Sequence, residues 1–138
     1  MKLSESKINV EAQEQGAWIR DIPNCPGLEV LTRGINNKSY RLRQQALFRS
    51  KVPQKDRLAQ TVKPETQDEI QAILLAETCL LDWKGLEDGD GQPIPFDPAT
   101  ALTLLQNPEN ADLRDGCAYA AERVNRLTRE EFEALRGN

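Results

Sequence analysis

A chain of 138 residues with 38% apolar, 5% aromatic and 29% charged residues is one domain long enough to close a core without disulfide or metal staples. With few aromatics that core must be built from Leu, Ile, Val and Ala, which favours helices. There is no histidine and the net charge is −4, which removes the commonest general base, metal ligand and pH switch together. Cys25, Cys79 and Cys117 are odd in number and lack CxxC spacing, so they suggest neither a disulfide framework nor a zinc site, and they fit a reducing cytoplasm. The first 15 residues lack the apolar region of a signal peptide, and no apolar run approaches the roughly 20 residues of a membrane span.

In chain order, residues 1–15 are polar and without periodicity and read as a flexible leader, with a single domain over 16–138. Short apolar runs at 17–22 and 28–33 flank PNCPG. Pro23 and Pro26 cannot donate ladder hydrogen bonds and belong in a connection, so a small β-hairpin is expected. Asn36 or Asn37 can cap a helix running to about Ser50, with Tyr40, Leu42, Leu47 and Phe48 as its buried positions and Pro53 as its break. Residues 54–62 carry a weak signal for one more helical turn. Thr66 and Glu69 have capping-box spacing. Ile70, Ile73, Leu74, Leu80, Leu81 and Trp83 then continue an apolar face, so one central helix from Thr66 to Trp83 is expected.

A long acidic connection, 84–97, follows. Asp97-Pro98 then starts a short helix with Ala101, Leu102, Leu104 and Leu105, and Asn107-Pro108 starts another whose face is Leu113, Cys117, Ala120, Ala121 and Val124. Gly116 in its middle costs about 1 kcal/mol relative to alanine and would permit close approach of another backbone. Thr128 with Glu131 caps a terminal helix carrying Phe132 and Leu135. The fold class expected is mainly α, a small helical domain with a short N-terminal β-hairpin.

Little in this chain points to chemistry. Without histidine there is no Ser-His or Cys-His dyad, and no GxSxG, Walker or GxGxxG pattern occurs, so an enzyme and a cofactor are not expected. Asp88-Gly-Asp90-Gly91 invites a calcium loop, but with Gly91 at the sixth position Leu86 falls where the first ligand must stand. Turns in a solvated loop explain the same residues. Cys79 and Cys117 fall on apolar helix faces and read as buried, inert thiols.

Charge is divided. Residues 1–62 carry 11 Lys/Arg against 6 Asp/Glu, and residues 63–138 carry 7 against 16. The basic block at 33–57 and the acidic one at 65–97 attract each other, within a chain or head to tail between chains, which makes Arg41, Arg43, Arg49, Lys51, Asp88 and Asp90 candidates for self-association into a homo-oligomer. The domain as a whole is acidic and has no nucleic-acid motif, so the basic block is read as a solvated or protein-docking face before a phosphate-binding one.

The connection at 84–97 is longer than the roughly 2–8 residues usual between helices, and Ile94 and Phe96 within it, with Trp83 before it, need somewhere to pack. It is either an ordered flap on the core or a docking surface. The string LDWKGLEDGDGQPIPFDPATALTLL at 81–105, together with Trp18 before a proline turn and PGLEVLTRGINNKSYRLRQQAL at 26–47, resembles the tail assembly chaperones of long-tailed bacteriophages and prophages, over roughly residues 17–124. That resemblance implies a non-enzymatic, mostly helical protein of the host cytoplasm that binds the tape-measure protein, keeps it soluble and promotes assembly of tail tube subunits around it. Trp83, Ile94 and Phe96 are the partner-binding candidates. The competing readings are a permanent tail-completion or head–tail joining subunit and, third, a small nucleic-acid-binding regulator.

Overall fold

A computed structural model describes residues 1–137. Among these, seven α-helices surround one three-stranded antiparallel sheet, the mainly α architecture expected. The hairpin forms where the prolines place it: β1 (Ala17–Ile19) pairs with β2 (Glu29–Thr32), Trp18 opposite Leu31. Strand alternation turns Ala17, Ile19, Val30 and Thr32 into the core and leaves Trp18 and Leu31 half-buried on the other face. There Lys84 lies over the Trp18 ring, 4.2 Å from its centroid, a cation–π contact.

The stretch expected as one central helix is three elements. α4 (Pro64–Leu74) gives way to a single π-helical turn at Leu75–Cys79, and β3 (Leu80–Lys84) then pairs with β2 on the side away from β1. Trp83 stands opposite Val30 and Leu80 opposite Thr32, with a register shift at Leu31/Thr32. The cause is tertiary: β2 offers a free edge on which Leu80 and Trp83 face the core, and strand preference follows such packing more than local period. The Thr78 hydroxyl donates to the Leu74 carbonyl at 2.6 Å, and the Arg33 N–H donates to the Cys79 carbonyl at 2.9 Å, so the change of element leaves its backbone partnered. α4 also starts earlier than expected. Pro64 occupies its first turn after Lys63, its fixed φ and missing N–H suiting that position, so the Thr66 capping box does not form and Glu69 pairs with Lys51 at 2.7 Å instead.

α2 (Lys38–Lys51) is capped by Asn37 and ends before Pro53, and α3 (Gln54–Ala59) supplies the short turn that follows. Tyr40 and Leu47 are buried, but Leu42 is 65% and Phe48 40% exposed, against the expectation that all four enter the core. Helical phase explains Leu42: two residues beyond Tyr40 it points about 200° away. α5 (Pro98–Gln106) starts at the Asp97 cap, whose Oδ2 accepts from the N–H groups of Ala99 and Thr100. α6 (Ala111–Asn125) buries Cys117, Ala120, Ala121 and Val124 against the sheet, and α7 (Arg129–Leu135) has the full Thr128–Glu131 capping box. The Thr128 backbone N–H, and after it Arg123, hold the Glu131 carboxyl below its ordinary range. Side chains rather than a backbone approach Gly116: a Cβ there would lie 2.7 Å from Cys25 Sγ and 2.9 Å from Ile22 Cγ2.

The polar N-terminal stretch is more ordered than its composition suggests. Asn9 caps α1 (Val10–Gln15), which buries Ala12 and Gln13. Asn9 donates through its backbone N–H to the Asn125 carbonyl at 2.9 Å and through Nδ2 to the Leu127 carbonyl at 3.2 Å, tying the start of the domain to its last two helices. Between α1 and α6 runs an irregular segment, residues 33–37, and such buried backbone requires partners. Gly34 N–H donates to Gln13 O at 2.9 Å and Ile35 N–H to Ala121 O at 3.1 Å. The Ile35 carbonyl accepts from Gln13 Nε2 at 2.8 Å and Asn125 Nδ2 at 3.0 Å. Asn37, fully buried, uses its whole side chain: Nδ2 donates to the Gly34 and Thr78 carbonyls, both at 2.9 Å, while Oδ1 accepts the Tyr40 N–H at 2.9 Å.

Candidate functional site

Trp83, Ile94 and Phe96 are brought together. Trp83 is 5% exposed, and its indole Nε1 donates to the Ile94 carbonyl at 2.7 Å while the Phe96 ring meets it edge-on, centroids 4.9 Å apart. Ile94 N–H donates to Leu86 O and Asp88 N–H to Gln92 O, both at 2.8 Å, so residues 85–97 fold back as a narrow ribbon stitched to β3 by the tryptophan. Of the two possibilities for this connection, the geometry is that of an ordered flap. Its outer surface is acidic, with Glu87, Asp88, Asp90 and Asp97 exposed and Ile94 and Phe96 half-buried. Asp88 Oδ1 accepts the N–H groups of Asp90 and Gln92 at 2.9 and 3.0 Å, which gives this aspartate a turn-forming role.

The basic helix divides into two sets. Arg43 pairs with Glu77 at 2.8 Å and Lys51 with Glu69 at 2.7 Å, so part of the attraction between charge blocks is spent inside the chain. Arg41 and Arg49 are exposed and form no ion pair among the described residues, nor do Asp88 and Asp90.

A recess with an apolar floor lies elsewhere, between α2 and α4. Tyr40, Gln44 and Phe48 form one wall at a spacing of four residues; Ile70, Gln71 and Leu74 form the other, with Gln67 and Asp68 at its rim and Val62 closing one end, around a groove of about 410 Å³. From Tyr40 to Phe48 the wall is about 12 Å long, enough to seat roughly two turns of a partner helix. The helix ends converge because Pro53 and Pro64 break the chain on either side of α3. Three glutamines along an apolar floor suit an amphipathic segment: the apolar stripe enters and polar edges meet amides. A larger cleft of about 640 Å³ between α4 and α6 is ringed by Glu65, Asp68, Glu69 and Arg114, with Arg114 3.9 Å from Asp68. Four of its seven lining residues are charged, against one of nine in the groove between α2 and α4. Sequence reasoning missed the groove because it assigned Phe48 to the core; the signal available was that Phe48 lies off the stripe set by Tyr40 and Leu47.

The thiols are ordered by burial. Burial pushes Cys117 up to about 12 and Cys79 up to about 11. Half-buried Cys25 is raised as well, by desolvation first and then by Asp112 and Asp115, and its Sγ donates to the Asp112 carbonyl at 3.3 Å. A thiol reagent at pH 8 is expected to modify Cys25 alone, slowly, in the folded protein, and all three after unfolding, as counted by mass spectrometry; rapid native labelling of Cys117 would contradict the packing of α6. No cluster of three or more metal-ligating side chains occurs among the described residues, and no helix among them is long and apolar enough to cross a membrane.

Fold and surface together define a small, mainly helical protein with an apolar helix-sized groove along a basic helix and, apart from it, an acidic ribbon. The family model for the YdaY prophage protein matches residues 35–138, a span that includes the groove, the ribbon and the last three helices. The chain belongs to that family. No curated protein and no solved structure matches it.

Proposed function

We propose that the chain is a tail assembly chaperone of its prophage, holding apolar helical stretches of a tape-measure protein in solution until tail tube subunits close around them. The observation that carries this reading is the groove between α2 and α4, an apolar floor of Tyr40, Phe48, Ile70 and Leu74 with Phe48 40% exposed. Membership of a prophage family and the likeness of residues 17–124 to tail assembly chaperones support it. A tape measure is a long helical chain whose apolar stripes lack a partner until the tube forms, and a groove two turns long covers one such stripe at a time.

Co-expression with the tape-measure protein of the same prophage tests the proposal. Expected are a soluble complex and a loss of about 1–3 kcal/mol of affinity in Phe48→Ala, with circular dichroism unchanged because that side chain is already partly in solvent. Phe96→Ala reports on the ribbon: an equal or larger loss there moves the docking site from the groove to residues 85–97. If the tape measure is equally soluble with and without this chain, and no complex is recovered, the chaperone reading is wrong. Recovery of the chain from purified particles would make it a permanent tail component instead.

A further inference from the structure

We infer that copies of this chain associate head to tail, the outer face of α2 on one copy taking the acidic ribbon of residues 85–97 on the next. Residues 33–63 hold nine Lys/Arg with only Asp56 opposed, whereas the ribbon, residues 85–97, holds four Asp/Glu and no Lys or Arg. Within one chain these two surfaces do not neutralise each other. α2 makes its ion pairs with Glu69 and Glu77 on α4 and the turn after it, and none of the ion pairs among the described residues involves an acid of the ribbon. Arg41 and Arg49 are left free on the side of α2 that also carries Leu42, 65% exposed. The ribbon presents the complementary mixture, exposed Glu87 and Asp90 beside Pro93, Pro95 and half-buried Ile94.

Charge and apolar character therefore match between two surfaces that a single copy cannot bring together, and a second copy supplies both at once. Single exposed ion pairs are weak, so several act together with Leu42 and the proline edge, and salt weakens the assembly. The two patches differ, so the contact is heterologous. Each addition leaves one head and one tail open, and growth ends in a ring or continues as a filament. The groove between α2 and α4 plays no part in this contact, which stands or falls independently of the tape-measure proposal.

Charge exchange tests it. Asp88 shapes the ribbon turn and Asp97 caps α5, so both stay; the variants are Arg41→Glu with Arg49→Glu on the helix, and Glu87→Lys with Asp90→Lys on the ribbon. By sedimentation velocity across a concentration series at low salt, wild-type mass is expected to rise with concentration and to fall back at high salt. Each double variant alone should associate at least about tenfold more weakly. An equimolar mixture of the two should associate again, because each reversed face then meets its opposite. Wild type that stays monomeric at every concentration and salt overturns the inference, as does an assembly that neither reversal weakens or that the mixture fails to restore. Circular dichroism of each variant confirms that the fold is retained.

Discussion

Asn37→Asp is expected to lower stability by about 3–5 kcal/mol, a large share of the roughly 5–15 kcal/mol that holds a domain together. The substitution changes one atom pair. Oδ1 still accepts the Tyr40 N–H and caps α2, but the second oxygen faces the Gly34 and Thr78 carbonyls that Nδ2 now satisfies at 2.9 Å. Two buried acceptors lose their donor, at about 1–3 kcal/mol each. A buried carboxyl favours its neutral form, so its folded-state pKa rises above the ordinary value near 4. The deficit is then complete above the folded pKa and shrinks as pH falls through it, because a protonated carboxyl donates one hydrogen bond. Urea unfolding followed by circular dichroism at pH 7 and pH 4.5, each referred to wild type at the same pH, checks both the size and the sign. Asn37→Ser keeps a capping oxygen and loses the two-carbonyl donor, so it should sit near the aspartate variant at pH 7 and show no such pH dependence. A variant within about 1 kcal/mol of wild type at pH 7 would mean that residues 33–37 do not depend on this amide.

Gly85→Ala is the second large effect, about 3 kcal/mol. Gly85 closes β3 with φ +78°, and a Cβ on it would stand 2.0 Å from the Gly27 carbonyl oxygen. The left-handed conformation alone costs a non-glycine residue about 1 kcal/mol, and the clash is with backbone, which has no rotamer to move. Relief must come from parting the turn before β2 and the ribbon after β3, so Trp83 fluorescence should shift with the loss of stability. Gly89→Ala is the control. That position has nothing within 4 Å and no positive φ, and its variant should unfold within about 0.5 kcal/mol of wild type.

The caps were legible in the sequence because their physics is local. Asn37, Asp97 and Thr128 each start a helix by accepting N–H groups two or three residues on, and side-chain type with spacing suffices to read them. Pro64 is equally local, a start signal of the same range as the Thr66–Glu69 pattern, and it is Pro64 that sets where α4 begins. The break between α4 and β3 was not local. Leu80 and Trp83 continue an apolar run compatible with a helix, and what makes them a strand is β2, some 50 residues earlier in the chain. The same limit governs the candidate site. That Trp83, Ile94 and Phe96 belong together could be read from a long connection with apolar residues, but that the indole faces inward and pins the ribbon depends on β3 being a strand. The groove needed the relative position of two helices, which no periodicity within either one supplies.

The amide contacts that tie α1 and residues 33–37 to the far end of the domain set an order on its biosynthesis. Asn9 and Leu127 are 118 residues apart, and Ile35 and Asn125 are 90 apart, so a nascent chain that has already left the ribosome as far as β3 still lacks the carbonyl to which Asn9 Nδ2 donates and the Asn125 amide that donates to the Ile35 carbonyl. The hairpin and α2 can form early, whereas the N-terminal helix and the strip beside it wait for the last helices to emerge. Contacts of such separation are made late and slowly. α6 acts as the latch of the molecule, and the surface made first is the one that stays open longest.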